Sequence, residues 1–83
     1  MSELSIEFKP RALRDLRAIN TQDQKRIILK IEALRDNLGG DVKKLNNFTP
    51  EYRMRVGNYR VLFEAEGDRV VIYRIKHRKD AYN

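Results

Sequence analysis

No cysteine occurs among the 83 residues, and there is a single histidine. The first absence excludes disulfide staples, thiol nucleophiles and cysteine-ligated zinc, and one imidazole gives little with which to build any other metal site. No metal and no cofactor is expected. The chain also lacks a glycine-rich phosphate loop, a histidine pair and a serine in a nucleophile-elbow setting, which removes the commonest catalytic motifs. No apolar run approaches the ~20 residues that span a bilayer, and the opening Met1-Ser2-Glu3-Leu4 has no basic-then-apolar signal pattern. The expectation is a cytoplasmic protein with no membrane partner, one domain over residues 1–83 held together by a single small core.

What the chain has in excess is positive charge. Lysine and arginine number 18 against 12 acidic residues, a net +6. The imbalance is local: residues 1–42 carry eight basic and seven acidic side chains, whereas residues 43–83 carry ten and five. A field of that sign attracts a polyanion or an acidic protein partner.

Hydrophobic periodicity organises the chain. Leu4, Ile6 and Phe8 alternate with Ser5, Glu7 and Lys9, the period of a strand with one buried face. Pro10 ends it and opens a short amphipathic helix, with Ala12, Leu13, Leu16 and Ile19 on one side and Arg11, Arg14 and Arg17 on the other. Asn20 or Thr21 caps a second helix in which Ile27, Ile31, Leu34 and Leu38 recur beside Ile28, and Gly39-Gly40 stops it. Arg14 and Arg17 of the first helix and Lys25, Arg26 and Lys30 of the second read first as solvated faces, with contact to RNA as the alternative. Asp41 to Pro50 reads as a polar connection containing Lys43 and Lys44.

Three strands follow. Tyr52, Met54 and Val56 alternate with Arg53 and Arg55, Gly57-Asn58 turns the chain into Tyr59 to Ala65, and a second turn leads to Val70-Val71-Ile72-Tyr73. That last run is apolar on both faces, as an interior strand is. Turns of two or three residues fit Glu66-Gly67-Asp68 equally, which leaves the face of Arg74 open. The expected fold is α+β in the order β-α-α-β-β-β, an antiparallel sheet with a two-helix hairpin on one face and arginines on the other.

The two-residue turn pairs Val56 with Tyr59 and Arg55 with Arg60. Directly opposed like charges destabilise a hairpin, so the pairing points to an anion between them, most naturally a nucleic-acid phosphate. Arg53, Arg55 and Arg60 form a cluster that His77, Arg78 and Tyr82 complete as the chain leaves the last strand, with Lys43, Lys44, Lys76 and Lys79 as outer RNA-binding positions. RNA carries its own nucleophile, the 2′-hydroxyl, so a cleaving protein has only to orient the phosphate, stabilise its extra charge and move protons. Arginine forks grip phosphate but do not exchange protons at ordinary pH. His77, whose side-chain type titrates near neutrality, is the candidate base, and Tyr82 offers a ring on which a base can stack.

The run Tyr52-Arg53-Met54-Arg55-Val56-Gly57-Asn58-Tyr59-Arg60-Val61-Leu62-Phe63-Glu64, followed by Ile75-Lys76-His77-Arg78-Lys79-Asp80-Ala81-Tyr82, resembles the RelE/ParE superfamily of toxins from prokaryotic toxin–antitoxin pairs. In the RelE branch the resemblance implies a metal-independent endoribonuclease that enters the ribosomal A site, cuts mRNA by 2′-hydroxyl attack through a 2′,3′-cyclic product, and inhibits translation. By position, Arg53 and Arg55 match that family's basic strand pair, Arg60 its transition-state arginine, and Arg78 and Tyr82 its basic and aromatic tail. Well-studied members carry lysines at the strand pair, so arginine there shifts proton transfer toward His77; the extra C-terminal helix of some members is not expected. The implied partners are the ribosome with its mRNA and a cognate antitoxin, acidic, partly disordered and DNA-binding, through which alone promoter DNA is contacted. The alternatives are a ParE-like toxin that inhibits DNA gyrase without nuclease activity, and an RNA-binding translation inhibitor without catalysis.

Overall fold

A computed structural model describes residues 5–35, 42–45 and 50–81. Strand β1 (Ser5–Phe8) ends where Pro10 takes the first position of helix α1 (Pro10–Arg17), with extended Lys9 before it as a following proline requires. Helix α2 (Thr21–Ala33) is capped by Asn20 and not by Thr21: the Asn20 Oδ1 accepts the Asp23 N–H at 2.9 Å. The Gln24 side chain turns back to the preceding helix. Its Nε2 donates to the carbonyls of Leu16 and Ile19, both at 2.8 Å, which satisfies acceptors at the end of α1. Leu4, Leu38 and the expected stop at Gly39-Gly40 lie outside the described residues.

The remaining elements are β2 (Val42–Lys44), β3 (Tyr52–Val56), β4 (Tyr59–Glu66), β5 (Arg69–His77) and a short helix α3 (Arg78–Ala81), and the five strands form one sheet in the order β1-β5-β4-β3-β2. Two features depart from expectation. Part of the polar connection is an edge strand, its lysines concealing it from a reading that looks for apolar alternation. The sheet is also mixed: β2 to β5 reverse three times, and β5 then runs parallel to β1. As its apolar run requires, β5 is interior, between β1 and β4.

The helix pair covers one face. Ala12 of α1 and Ile27, Ile31 and Leu34 of α2 cluster with Met54, Val56, Val61, Phe63, Val70, Ile72 and Ile75. With Ile27 and Ile31 turned inward, helical geometry swings their neighbours out, and Ile28 and Leu29 are exposed.

One irregularity decides what the other face carries. The β4–β5 hairpin closes on a two-residue Gly67-Asp68 turn, and Phe63 pairs with Ile72, but Leu62 then pairs with Arg74, leaving Tyr73 as a bulge. The extra residue reconciles an odd spacing: Ile72 and Ile75, three apart, both point into the core. Everything after Tyr73 is flipped relative to a regular strand. Ile75 and His77 share the helix side, Lys76 looks the opposite way, and Arg74 joins the row of Arg53 and Leu62.

Candidate nucleic-acid interface

The first hairpin has the register that its turn demands, Val56 opposite Tyr59 and Arg55 opposite Arg60, with Gly57 at φ +58° where a side chain would be strained. Because Arg60 also pairs with Lys76, residues 55, 60 and 76 form one row across β3, β4 and β5 on the helix-free face. The next row holds Lys43, Arg53, Leu62 and Arg74. Directly opposite side chains start about 5 Å apart, so the first row brings three cations within roughly 10 Å.

These cations differ in how they are held. Arg60 is only 7% exposed, and its Nη1 donates to the carbonyls of Gly57 at 3.2 Å and Tyr59 at 3.0 Å, folding the side chain onto the turn. The carbonyl dipoles offset part of the cost of burying its charge. Arg55 is exposed and Lys76 half-buried, and neither makes a hydrogen bond or ion pair with another described residue. Arg53 is half-buried.

The tail reaches the same turn. The Arg78 N–H donates to the Asn58 carbonyl at 2.7 Å, fixing the start of α3 beside the hairpin end, with the Arg78 and Lys79 side chains exposed. His77 goes elsewhere. It pairs with Tyr59 on the helix side, the two rings 5.4 Å apart and nearly perpendicular at 82°. Its Nδ1 accepts the Lys79 N–H at 3.3 Å, which in the neutral ring leaves the proton on Nε2. The sheet thus stands between His77 and the row containing Arg60. Tyr82 lies outside the described residues, and Lys43 and Lys44 are exposed on the edge strand, with Lys44 Nζ 3.7 Å from a Glu51 carboxylate oxygen.

Two contributors escaped the sequence reading. Asp15, in α1, accepts from Arg74 Nε at 2.8 Å, Arg74 Nη2 at 3.2 Å and the Ile75 N–H at 2.9 Å. Strand β1 stops opposite Ile72, so the exposed edge of β5 at Ile75 finds its acceptor in this side chain. Burial by itself would raise the Asp15 pKa, but the hydrogen bonds from Arg74 and Ile75 and the charges of Arg74 and Arg11 outweigh it and hold the carboxyl below its ordinary range. A folded value below the unfolded one means that the stabilisation is present above about pH 4 and is lost as pH falls through the lower, folded value. Asp15→Asn is expected to cost about 1–3 kcal/mol in urea unfolding at pH 7, with the gap to wild type narrowing as pH falls below about 4.

Arg26 is the second. Its guanidinium lies over Gly57, three of its atoms 3.5–3.7 Å from where a Cβ would stand, at one wall of a groove lined by Arg26, Leu29, Lys30, Arg55, Val56 and Gly57. Helical spacing alone gave no sign that this basic face adjoins a strand end.

A family model for the ParE toxin of type II toxin–antitoxin systems matches residues 6–82. The chain is 34% identical over 85 residues to the toxin RelE3 of Methanocaldococcus jannaschii, covering 96% of this chain and 97% of that protein. Among solved structures, a chain of the RelB–RelE antitoxin–toxin complex from Methanococcus jannaschii superposes with a TM-score of 0.76 at 36% identity, over 92% of this chain and 94% of that one. A chain of the archaeal RelE–RelB complex from Pyrococcus horikoshii shares the fold, with a TM-score of 0.80 at 20% identity over 94% and 98% of the two chains. The match along nearly the whole sequence, joined to the fold just described, makes this chain a member of the ParE toxin family of type II toxin–antitoxin systems, with RelE toxins among its relatives.

Proposed function

We propose that this toxin is a ribosome-dependent endoribonuclease that cuts mRNA in the A site by 2′-hydroxyl attack and so arrests translation. The observation that supports this reading is the row of Arg55, Arg60 and Lys76 at one end of the helix-free sheet face, with the backbone of Arg78 tied to the same turn. Arg55 and Arg60 grip the scissile phosphate, Arg53 positions the backbone beside it, and Arg78 adds charge where the leaving oxygen departs. Tyr82 stacks on the nucleotide. His77, which pairs with Tyr59 across the sheet from this row, has no proton-transfer role in this proposal, and Lys43, Lys44 and Lys79 contact RNA further out.

The neutralising partner in this proposal is a cognate antitoxin, as RelB is in the solved complex. An acidic segment with an apolar stripe suits the groove between α2 and the end of β3, where Leu29 is 70% exposed between Arg26 and Arg55. Promoter DNA is contacted through that partner, and the toxin acts in the cytoplasm. No helix among the described residues is long and apolar enough to cross a membrane.

The name of the matching family keeps a second reading in view, inhibition of DNA gyrase without RNA cleavage. Purified ribosomes programmed with a defined message separate the two. Cuts mapped by primer extension should be phased to codons and fall about 100-fold in rate for Arg55→Ala. Intact message together with trapped gyrase–DNA breaks would establish the other reading instead.

A further inference from the structure

The row at the hairpin end contains two arginines and one lysine, and the distinction matters chemically. Arginine keeps its proton at any pH a protein tolerates, whereas a lysine ammonium can release one. The departing 5′-oxygen of a cleaved RNA linkage needs a proton, because an alkoxide is a poor leaving group. His77, the obvious source by residue type, is on the opposite side of the sheet with its Nδ1 engaged by the Lys79 N–H. Lys76 is where His77 is not. The Tyr73 bulge turns it onto the helix-free face directly opposite Arg60, where it is half-buried and makes no hydrogen bond or ion pair with another described residue. Without the bulge Ile75 would occupy that position, so one irregular residue sets both the core and the identity of the third group in the row.

Resting on the nuclease reading above, we infer that Lys76 is the general acid of the reaction, giving a proton to the 5′-oxygen as it leaves phosphorus. The 2′-oxygen forms its bond to phosphorus while the bond from phosphorus to the 5′-oxygen breaks. The 2′-hydroxyl proton passes to a solvent water, and the Lys76 ammonium proton ends on the new 5′-hydroxyl. The neutral amine then regains a proton from water. Arg55 and Arg60 carry the charge of the phosphorane and exchange no protons.

A leaving group that needs no proton tests the assignment. Ribosomes are programmed with a message carrying, at the mapped cut site, either the normal linkage or one in which sulfur replaces the bridging 5′-oxygen, and single-turnover rates are compared for wild type, Lys76→Arg and Lys76→Gln. Lys76→Arg keeps the charge and removes the transferable proton. Both variants should cut the normal linkage about 100-fold or more slowly, and the sulfur linkage within about threefold of wild type. Lys76→Arg acting at the wild-type rate on the normal linkage overturns the inference, and so does an equal loss on both linkages, which marks a binding or folding role. In both cases wild-type cleavage leaves the nuclease reading standing. Wild type that cuts neither linkage overturns that reading and this inference together.

Discussion

Replacing Arg60 with alanine is expected to lower the single-turnover rate of message cleavage on programmed ribosomes by roughly 1,000-fold. The magnitude follows from position. Arg60 is the middle member of the row, with Arg55 on one side and Lys76 on the other, so its charge lies where a phosphorane held by the row gains its extra negative charge. It is also held before any substrate arrives, by hydrogen bonds to the carbonyls of Gly57 and Tyr59, so that little reorganisation is required at the moment of reaction. The same anchoring gives the substitution a structural cost. Loss of those bonds should lower the melting temperature by roughly 5–15 °C, and the rate comparison belongs at a temperature where both proteins are folded. Arg60→Lys restores a charge without the planar fork, and should recover no more than about tenfold of the lost rate. An alanine variant that cleaves within threefold of wild type would make Arg60 a turn brace and nothing more.

The second large effect is on stability. Phe63 has no exposed surface, stacks on Tyr52 with ring centres 5.4 Å apart, and pairs with Ile72 immediately beside the Tyr73 bulge. Phe63→Ala removes a large buried side chain from a core that cannot collapse easily around the gap, because the sheet fixes its neighbours. A loss of about 3–5 kcal/mol is expected, against a total stability of roughly 5–15 kcal/mol for domains of this kind. Urea unfolding should show the midpoint fall by roughly a fifth or more, since the slope changes little when the same surface is exposed. Cleavage should fall with the folded fraction, and a loss of stability under 1 kcal/mol would remove Phe63 from the centre of the core.

The two halves of the sheet were not equally legible in the sequence. A two-residue turn leaves one register, so Gly57-Asn58 was enough to place Arg55 opposite Arg60. The second hairpin offered no such certainty. Its turn is also of two residues, but the bulge at Tyr73 is set by tertiary packing that draws both Ile72 and Ile75 inward, and a strand reading by strict alternation cannot see it. The signal was present all the same: two isoleucines an odd number apart in an otherwise buried strand require either an irregularity or an exposed isoleucine. Strict alternation from Ile72 would put His77 on the arginine side and Lys76 on the helix side, the reverse of what the register gives. Edge strand β2 was hidden because solvated lysines suit an edge as well as a loop. The Asp15–Arg74 pair joins residues far apart in the chain and had no local signature.

In this proposal the cationic row receives a phosphate at which RNA is cleaved by its own 2′-hydroxyl. The most direct measurement is the chemistry of the ends produced when the wild-type toxin acts on ribosome-bound message, read by mass spectrometry of the fragments. A 2′,3′-cyclic phosphate is expected on the upstream fragment and a 5′-hydroxyl on the downstream one. A 5′-phosphate on the downstream fragment, or message recovered whole, would contradict it.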